Sequence, residues 1–164
     1  MNILIYGIGA MGSIYASLLS QKGNKVFAID KWEEHINEIN KNGLKVEGAS
    51  GNNIYKSLTA STKVPQDINF DIIVISTKAS GVKNAASELK TIIKDNTIVI
   101  SIQNGIGSSD EIGNYIPKKH LMVGVADGFG ASIIKPGHIH HNAMKLIRFG
   151  ELVGGITERL SSIV

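Results

Sequence analysis

The segment Asn2–Asp30 reads NILIYGIGAMGSIYASLLSQKGNKVFAID and alternates apolar runs with glycine-containing breaks. Residues 2–6 form a short apolar run that Gly7 ends, and apolar positions then recur at helical spacing over 13–22. A second apolar run covers 25–30. We therefore predict a strand, a glycine-rich turn, a helix and a second strand, which together form a β-α-β unit.

The rest of the chain repeats this alternation up to residue 126 and then changes to short strands. Continuous apolar runs such as 72–75 are typical of strands covered on both faces of a parallel sheet. We therefore predict an α/β fold, a Rossmann-like doubly wound parallel sheet of about six strands, with extra antiparallel strands near the C-terminal end. Residues 44–49 and 53–60 interrupt the alternation, as a hairpin or a pair of edge strands. The predicted helices cover 32–41, 82–94 and 108–116, and the other predicted strands cover 97–102, 121–126, 130–134, 138–142 and 145–149.

The domain organisation is simple. We predict one domain over residues 1–153 and the start of a linker helix over 154–164, with Thr157 as a candidate N-cap. This last helix has an apolar face and nothing after it in the sequence. We therefore expect a truncated chain or a partner domain that covers this face.

Composition and charge exclude several classes of protein. The 164 residues include no cysteine, which excludes disulfide scaffolds, thiolate zinc sites and thiol nucleophiles. The formal net charge is +3, and the lysines and arginines are scattered rather than gathered into a basic stripe, so nucleic-acid binding has little support. No apolar run approaches the roughly 20 residues of a membrane helix, and the N-terminus lacks the pattern of a signal peptide. We expect a cytoplasmic protein.

The hexapeptide 7–12, GIGAMG, has the glycine spacing of a dinucleotide site. In such a site Gly7 allows the tight turn, Gly9 lets the backbone approach the pyrophosphate, and Gly12 lets the helix pack closely on the strand. The helix N-terminus offers free N–H groups and a partial positive charge to the phosphates. Asp30 closes the second strand 18 residues beyond Gly12, near the spacing of an acid that binds ribose. The alternative is a purely structural turn.

Three polar residues follow predicted strands at the same edge of the sheet. Lys31 comes directly after Asp30, and the two favour different cofactors, because a carboxylate suits the ribose hydroxyls of NAD whereas a cation can pair with the 2′-phosphate of NADP. Lys78 follows strand 72–75 and Asn104 follows the next strand, so both should reach the same crevice. The simpler alternatives are a solvated surface cation, a lysine at a helix start and an Asn-Gly turn, respectively.

Three histidines lie close together near the C-terminal end, at His138, His140 and His141. The first and third residues of a strand share a face, which allows a metal site in principle. No cluster of carboxylates accompanies them in the sequence, and we therefore predict no metal site.

Five segments of the chain occur together in one known family. They are GIGAMGS at 7–13, DKWEEH at 30–35, TKA at 77–79, QNGIG at 103–107 and the segment 124–131, which ends in FGA. With them the chain resembles the N-terminal NAD(P)-binding domain of the ketopantoate reductases (2-dehydropantoate 2-reductases), over nearly all of residues 1–151. The resemblance implies an oxidoreductase that reduces 2-dehydropantoate, a small 2-keto acid, to pantoate with NADPH, on the route to pantothenate and coenzyme A.

The resemblance also implies roles for single residues. It places a cofactor contact at Lys78, and it places Asn104 between the nicotinamide and the substrate. It assigns pyrophosphate binding to every residue of the glycine turn, namely Gly7, Ile8, Gly9, Ala10, Met11 and Gly12.

This chain departs from the family pattern at two positions and in length. Gly81 stands where many members have a glutamine that touches the cofactor, and Asp30 lies where a 2′-phosphate would be crowded, so NAD(H) is possible beside NADP(H). The family's catalytic lysine and its acidic partner lie in a helical C-terminal domain that this sequence does not reach. We therefore expect a chain without catalytic residues, which binds the cofactor and turns over ketopantoate little or not at all.

Two other functions remain open. One is a regulatory module that senses a dinucleotide and acts through an attached partner, and the other is a different 2-keto acid dehydrogenase built on the same first domain. The segment 103–107 favours ketopantoate reductase over both. A face that the missing domain would cover should be exposed and apolar, so we also expect self-association into a homo-oligomer.

Overall fold

A computed structural model describes residues 1–103, 107–152 and 154–163. Within these residues the chain forms a seven-stranded sheet, a second sheet of four strands, and helices that pack on both faces of the large sheet. The strands are β1 (Asn2–Tyr6), β2 (Lys25–Ile29), β3 (Leu44–Gly48), β4 (Asn53–Tyr55), β5 (Leu58–Ser61), β6 (Ile72–Ile75), β7 (Ile98–Ser101), β8 (Leu121–Asp127), β9 (Gly130–Lys135), β10 (His138–Ala143) and β11 (Leu146–Glu151). The helices are α1 (Ala10–Gln21), α2 (Glu33–Asn42), α3 (Val82–Leu89), α4 (Ser108–Gly113) and α5 (Glu158–Ser161), with 3₁₀ turns at Ala79–Gly81 and Lys118–His120.

The strand order of the large sheet is β11-β8-β7-β6-β1-β2-β5. Neighbouring strands are parallel throughout, except that β11 is antiparallel to β8. The chain adds strands first on one side of β1 and then on the other, so the direction of growth reverses between β1 and β6. This topology confirms the predicted doubly wound parallel sheet with an antiparallel addition at its C-terminal end.

β1 separates two apolar cores, because its alternate side chains point to opposite faces of the sheet. Ile3 and Ile5 pack in one core together with Ile14 of α1 and Ile36 of α2. Leu4 packs in the other core, against residues of α3 and α4. Each of these helices follows a parallel strand along the chain, so each begins at the carboxyl edge of the large sheet.

The second sheet has the order β4-β3-β10-β9 and packs on the outer side of α1. β10 is antiparallel to β9, as predicted for this part of the chain, and parallel to β3. The ring of Tyr15 on α1 lies 5.9 Å from that of Phe129, which precedes β9. Helix α1 therefore lies between the two sheets.

The single strand predicted over 53–60 is wrong, because this segment forms two strands in different sheets. β4 pairs with β3 in the predicted hairpin, whereas β5 pairs with β2 at the edge of the large sheet. Lys56 and Ser57 are both exposed, between the buried residues Tyr55 and Leu58. Two consecutive exposed residues break the two-residue period of one strand, and the chain crosses between the sheets at this point.

Helices α3 and α4 end earlier than predicted. α3 ends at Leu89 rather than at residue 94, and α4 also ends before its predicted last residue. Ile92 and Ile116 are nevertheless buried beyond the ends of these helices. The apolar spacing therefore continues through turns that are not helical, which is why the sequence pattern overestimated the helix lengths.

The last described helix, α5, begins after Thr157, as predicted. The Oγ1 atom of Thr157 accepts a hydrogen bond from the N–H of Leu160 at 3.2 Å, and the Leu160 side chain is buried against the main core. The domain boundary at residue 153 stays a prediction. Among the described residues, no helix combines the length and the apolar character needed to cross a membrane.

Candidate functional site

The glycine turn lies where the carboxyl ends of β1, β2 and β6 meet. The N–H of Gly7 donates to the carbonyl oxygen of Ile29, the last residue of β2, at 2.7 Å. The hydroxyl of Ser76, which follows β6, donates to the carbonyl oxygen of Gly7 at 2.8 Å. These two bonds fix the turn at the reversal point of the sheet, where doubly wound folds bind their ligands.

Two glycines of the turn leave no room for a side chain. A Cβ atom on Gly12 would lie 1.9 Å from the carbonyl oxygen of Gly7. Gly7 itself has a φ of +99°, and a Cβ atom there would lie 2.8 Å from the backbone nitrogen of Thr77. Glycine is therefore needed at both positions for α1 to begin directly against the end of β1.

Gly9 has the opposite environment. It is the N-cap of α1, it receives no side-chain cap, and a Cβ atom built on it meets nothing within 4 Å among the described residues. The first N–H groups of a helix have no partner within the helix and carry a partial positive charge. The open start of α1 is therefore suited to a phosphate group, and a side chain at Gly9 would occupy the space that such a group needs.

A cavity of about 490 Å³ opens in front of α1 at the same edge. Its volume lies within the usual range for small-molecule sites, roughly 300–1,000 Å³. The end of β2, the segment after β6 and one face of α3 complete its walls. Of the residues proposed from the sequence, those that line the cavity are Gly7, Gly9, Ala10, Met11, Asp30, Lys31 and Lys78.

Two of the other proposed residues, Ile8 and Gly12, do not line the cavity. The side chain of Ile8 is completely buried in the main core, and its N–H donates to the carbonyl oxygen of Ile29 at 3.2 Å. Gly12 is buried behind the turn, so both residues shape the site from outside the cavity. Asn104 lies outside the described residues, and its roles at the cofactor and the substrate stay predictions.

Three charged side chains line the cavity from two strand ends. The Oδ1 atom of Asp30 accepts a hydrogen bond from the N–H of Trp32 at 3.1 Å, which orients the carboxylate at the end of β2. Lys31 and Lys78 are both exposed, and Lys78 precedes the 3₁₀ turn after β6. These two strand ends therefore offer the cavity a carboxylate for hydroxyl groups and two ammonium groups for phosphates.

Gln103 has a role that the sequence analysis did not assign. Its Nε2 atom donates to the carbonyl oxygens of Ile75 at 2.7 Å and Thr77 at 3.3 Å, and its Oε1 atom accepts from the hydroxyl of Ser101 at 2.7 Å. These bonds join the end of β7 to the end of β6 and hold the segment that carries Lys78. The available signal was the position of an amide directly after a buried strand.

The sequence analysis also missed a polar pair in the cavity wall. The hydroxyl of Tyr6 donates to Oε2 of Glu88, on α3, at 2.7 Å. Burial and the hydrogen bond to Glu88 raise the pKa of the Tyr6 phenol well above its ordinary value, so the phenol remains a donor at neutral pH. The two residues are 82 positions apart, and no local pattern connects them.

Two of the three histidines, His138 and His140, lie beside Glu47 in a polar cluster on the second sheet, whereas His141 is completely buried and is not part of this cluster. The carboxylate of Glu47 lies 2.9 Å from Nε2 of His138 and 3.1 Å from Nζ of Lys45. Hydrogen bonds from His138 and Lys45 lower the pKa of Glu47. The part of the chain that the structure describes contains no group of three side chains arranged to hold a metal ion. The cluster instead joins β3 to β10.

Known proteins share both the sequence pattern and the fold of this chain. The family model described as ketopantoate reductase PanE/ApbA matches residues 3–154. The chain belongs to the ketopantoate reductase family. The 2-dehydropantoate 2-reductase of Streptococcus pyogenes serotype M1 is 34% identical over 140 residues, and that of Pyrococcus abyssi is 36% identical over 139 residues. The resemblance found in the sequence motifs is thereby confirmed.

Solved structures of ketopantoate reductases and a related enzyme share the fold. The ternary structure of D-mandelate dehydrogenase with NADH and anilino(oxo)acetate is 28% identical, with a TM-score of 0.87 over 99% of this chain and 51% of that chain. The putative 2-dehydropantoate 2-reductase from Enterococcus faecalis is 29% identical, with a TM-score of 0.83 over the same shares. The matches to the reductases of Streptococcus pyogenes and Pyrococcus abyssi span 85% of this chain but only 45% and 44% of those proteins. The chain therefore spans about half the length of these relatives.

Proposed function

We propose that this chain is the nucleotide-binding part of an oxidoreductase that reduces 2-dehydropantoate to pantoate in pantothenate biosynthesis. The observation that carries the proposal is the uncapped start of α1 at Gly9, which opens onto the cavity at the reversal point of the sheet. The names of the two sequence relatives support the substrate. The NADH in the D-mandelate dehydrogenase structure supports a nicotinamide dinucleotide as the cofactor.

The residues of the cavity fit such a cofactor. The N–H groups at the start of α1, from Ala10 and Met11, would hold the pyrophosphate, and the space beside Gly9 would admit it. Asp30 would accept hydrogen bonds from ribose hydroxyls, and Lys78 would contact the nucleotide from the end of β6. When bound, the nicotinamide dinucleotide would supply the hydride for reduction of the keto group.

The substrate side of the site depends on Asn104. We propose that its amide lies between the nicotinamide and the 2-keto acid, and a neutral amide is a poor proton donor. Lys78 is engaged with the nucleotide in this arrangement, so the 164-residue chain assayed alone should bind the dinucleotide and reduce 2-dehydropantoate slowly or not at all. Steady-state oxidation of NADPH by this chain at about 1 per second or faster, as in whole enzymes, would contradict this expectation.

The choice between NADH and NADPH depends on two neighbouring residues. Family resemblance favours NADP(H), with Lys31 as the partner of the 2′-phosphate, whereas Asp30 suits the free hydroxyl of NAD(H). Calorimetric titration with both nucleotides separates the two. If NADPH is the cofactor, Lys31→Ala should weaken NADPH binding and leave NADH binding nearly unchanged. If NADH is the cofactor, Asp30→Ala should weaken NADH binding by at least as much as it weakens NADPH binding.

The substitution Gly9→Ala tests the proposed function directly. The backbone of Gly9 is extended, at φ −71° and ψ −156°, and there is space for a Cβ atom, so the variant should fold normally. It should bind the dinucleotide at least about tenfold more weakly, because the methyl group enters the space of the pyrophosphate. Gly150→Ala is the matched control, since a Cβ atom there also meets nothing within 4 Å among the described residues. Equal affinities for the two variants would contradict the proposal.

A further inference from the structure

One wall of the cavity is formed by the face of α3 that carries Asn84 and Glu88. These residues are four positions apart on the helix and therefore lie on the same face, with Gly81 one turn earlier adding no side chain to it. This wall therefore ends in the carboxylate of Glu88. The proposed function assigns this carboxylate no task.

Tyr6 fixes the position of that carboxylate. Tyr6 is 6% exposed at the end of β1, and its hydroxyl donates to Oε2 of Glu88 at 2.7 Å. The carboxylate of Asp30 also raises the pKa of the Tyr6 phenol, although by less than that of Glu88 does. The acid expected to bind ribose and the carboxylate on α3 line one cavity together with this phenol.

The geometry points to adenine as the group that Glu88 contacts. We propose that Glu88 accepts a hydrogen bond from the exocyclic amino group of the adenine, and that Tyr6 is a positioning residue for it. This inference rests on the proposed function and specifies which base the nucleotide site prefers. The base is bonded to the ribose that Asp30 would hold, and a carboxylate is an acceptor only, so it matches an amino group and disfavours a carbonyl oxygen.

The test compares adenine with hypoxanthine, in which a carbonyl oxygen replaces the amino group. Wild-type protein is titrated with whichever of NADH or NADPH it binds more tightly, and with the hypoxanthine counterpart of that nucleotide. We expect about tenfold weaker binding of the hypoxanthine nucleotide, which corresponds to one hydrogen bond to a charged group. The quantity compared among variants is the ratio of the dissociation constant of the hypoxanthine nucleotide to that of the adenine nucleotide. In Glu88→Gln the amide can donate to the carbonyl oxygen, so this ratio should fall to about one or below.

Two further variants separate this role from general effects. Glu158→Gln removes an exposed carboxylate on α5, outside the cavity, and should keep the wild-type ratio. Tyr6→Phe should lower the ratio part of the way, mainly by weakening the binding of the adenine nucleotide, because the hydroxyl that holds the Glu88 carboxylate is lost. A structural role of Tyr6 alone would weaken both nucleotides equally and would overturn the positioning role.

The outcomes distinguish this inference from the proposed function. Equal binding of both nucleotides by the wild-type protein, or a ratio that Glu88→Gln leaves unchanged, would overturn the role of Glu88 and leave the proposed function intact. Failure of the wild-type protein to bind either nucleotide would overturn both.

Discussion

The large sheet and the second sheet hold helix α1 between them by different means. On the large sheet, the start of α1 is held by backbone atoms, because Gly12 packs against the carbonyl oxygen of Gly7 and no side chain fits between them. On the second sheet, contacts between distant side chains and backbone groups make the connection. The first kind of contact can be predicted from a short stretch of sequence, whereas the second kind can be identified only in the three-dimensional structure.

His35 is the clearest example of the second kind. It lies on α2 and is completely buried, and its Nδ1 atom accepts a hydrogen bond from the N–H of Gly137 at 2.9 Å, in the turn between β9 and β10. Because Nδ1 is the acceptor, the proton of the neutral ring is on Nε2, which lies 3.4 Å from the hydroxyl of Ser13 on α1. The ring also stacks on Trp32 at a centroid distance of 4.7 Å. One imidazole therefore connects α1, α2 and the second sheet.

The largest effect is expected at the contact with the large sheet. Gly12→Ala would place a methyl carbon 1.9 Å from the carbonyl oxygen of Gly7, and neither backbone segment can move without displacing α1 or β1. We expect a loss of at least about 3 kcal/mol in the free energy of unfolding, together with loss of nucleotide binding. Chemical denaturation measures the first and calorimetry the second. Gly9→Ala is the control for stability in the same turn, because a Cβ atom there meets nothing within 4 Å among the described residues, and wild-type stability of Gly12→Ala would show that the turn adapts.

The same contrast explains how much the sequence could predict. The doubly wound sheet and the tight turn follow from local patterns, namely the apolar run 72–75 and the spacing of Gly7 and Gly12, because their causes lie within a few residues. The contact between His35 and Gly137 spans 102 positions. No periodicity encodes such a pair.

The candidate site divides in the same way. Asp30, Lys31 and Lys78 were found because each directly follows a recognisable strand, and strand ends meet at one edge of a parallel sheet. Glu88 lies in the middle of an ordinary helical pattern, where a glutamate is typical of a solvated face. Its position against Tyr6 depends on how α3 packs on β1, which the sequence pattern does not specify.

A medium effect is expected at His35. His35→Phe keeps a ring against Trp32 but leaves the buried N–H of Gly137 without its acceptor, which should cost about 1–3 kcal/mol in the free energy of unfolding at pH 7. His35→Asn supplies an oxygen close to the position of Nδ1 and should recover part of that loss. His140→Asn, at an exposed histidine on β10, is the control. Equal stability of His35→Phe and wild type would remove His35 from the connection between the sheets.

Acid conditions test the same contact without a large change in packing. Burial lowers the pKa of His35 in the folded protein, although the carboxylate of Asp30 opposes the shift. The unfolded chain, with a histidine pKa of about 6.5, therefore binds the proton more readily. The contribution of neutral His35 to the free energy of unfolding should be fully present above about pH 6.5, and it should decrease as the pH falls below that value. His35→Asn should make this decrease shallower, and an unchanged slope would assign the acid dependence to other groups, such as His141, whose pKa burial also lowers.

The smallest effect is expected at Glu47. Its side chain is 31% exposed, so solvent screens its ion pair with Lys45 and its hydrogen bond with His138, and Glu47→Gln should reduce stability at pH 7 less than His35→Phe does. The pKa of Glu47 is lowered by its hydrogen bond to His138 and then by Lys45, so its contribution is present above the unfolded value of about 4.3 and is lost as the pH falls below it. The variant should therefore differ from wild type near neutral pH and approach it in acid, as denaturation at the two pH values and at low and high salt would show. A loss as large as that of His35→Phe, independent of salt, would mean that the pairing of β3 with β10 depends on this cluster as strongly as the connection between α1 and the second sheet depends on His35.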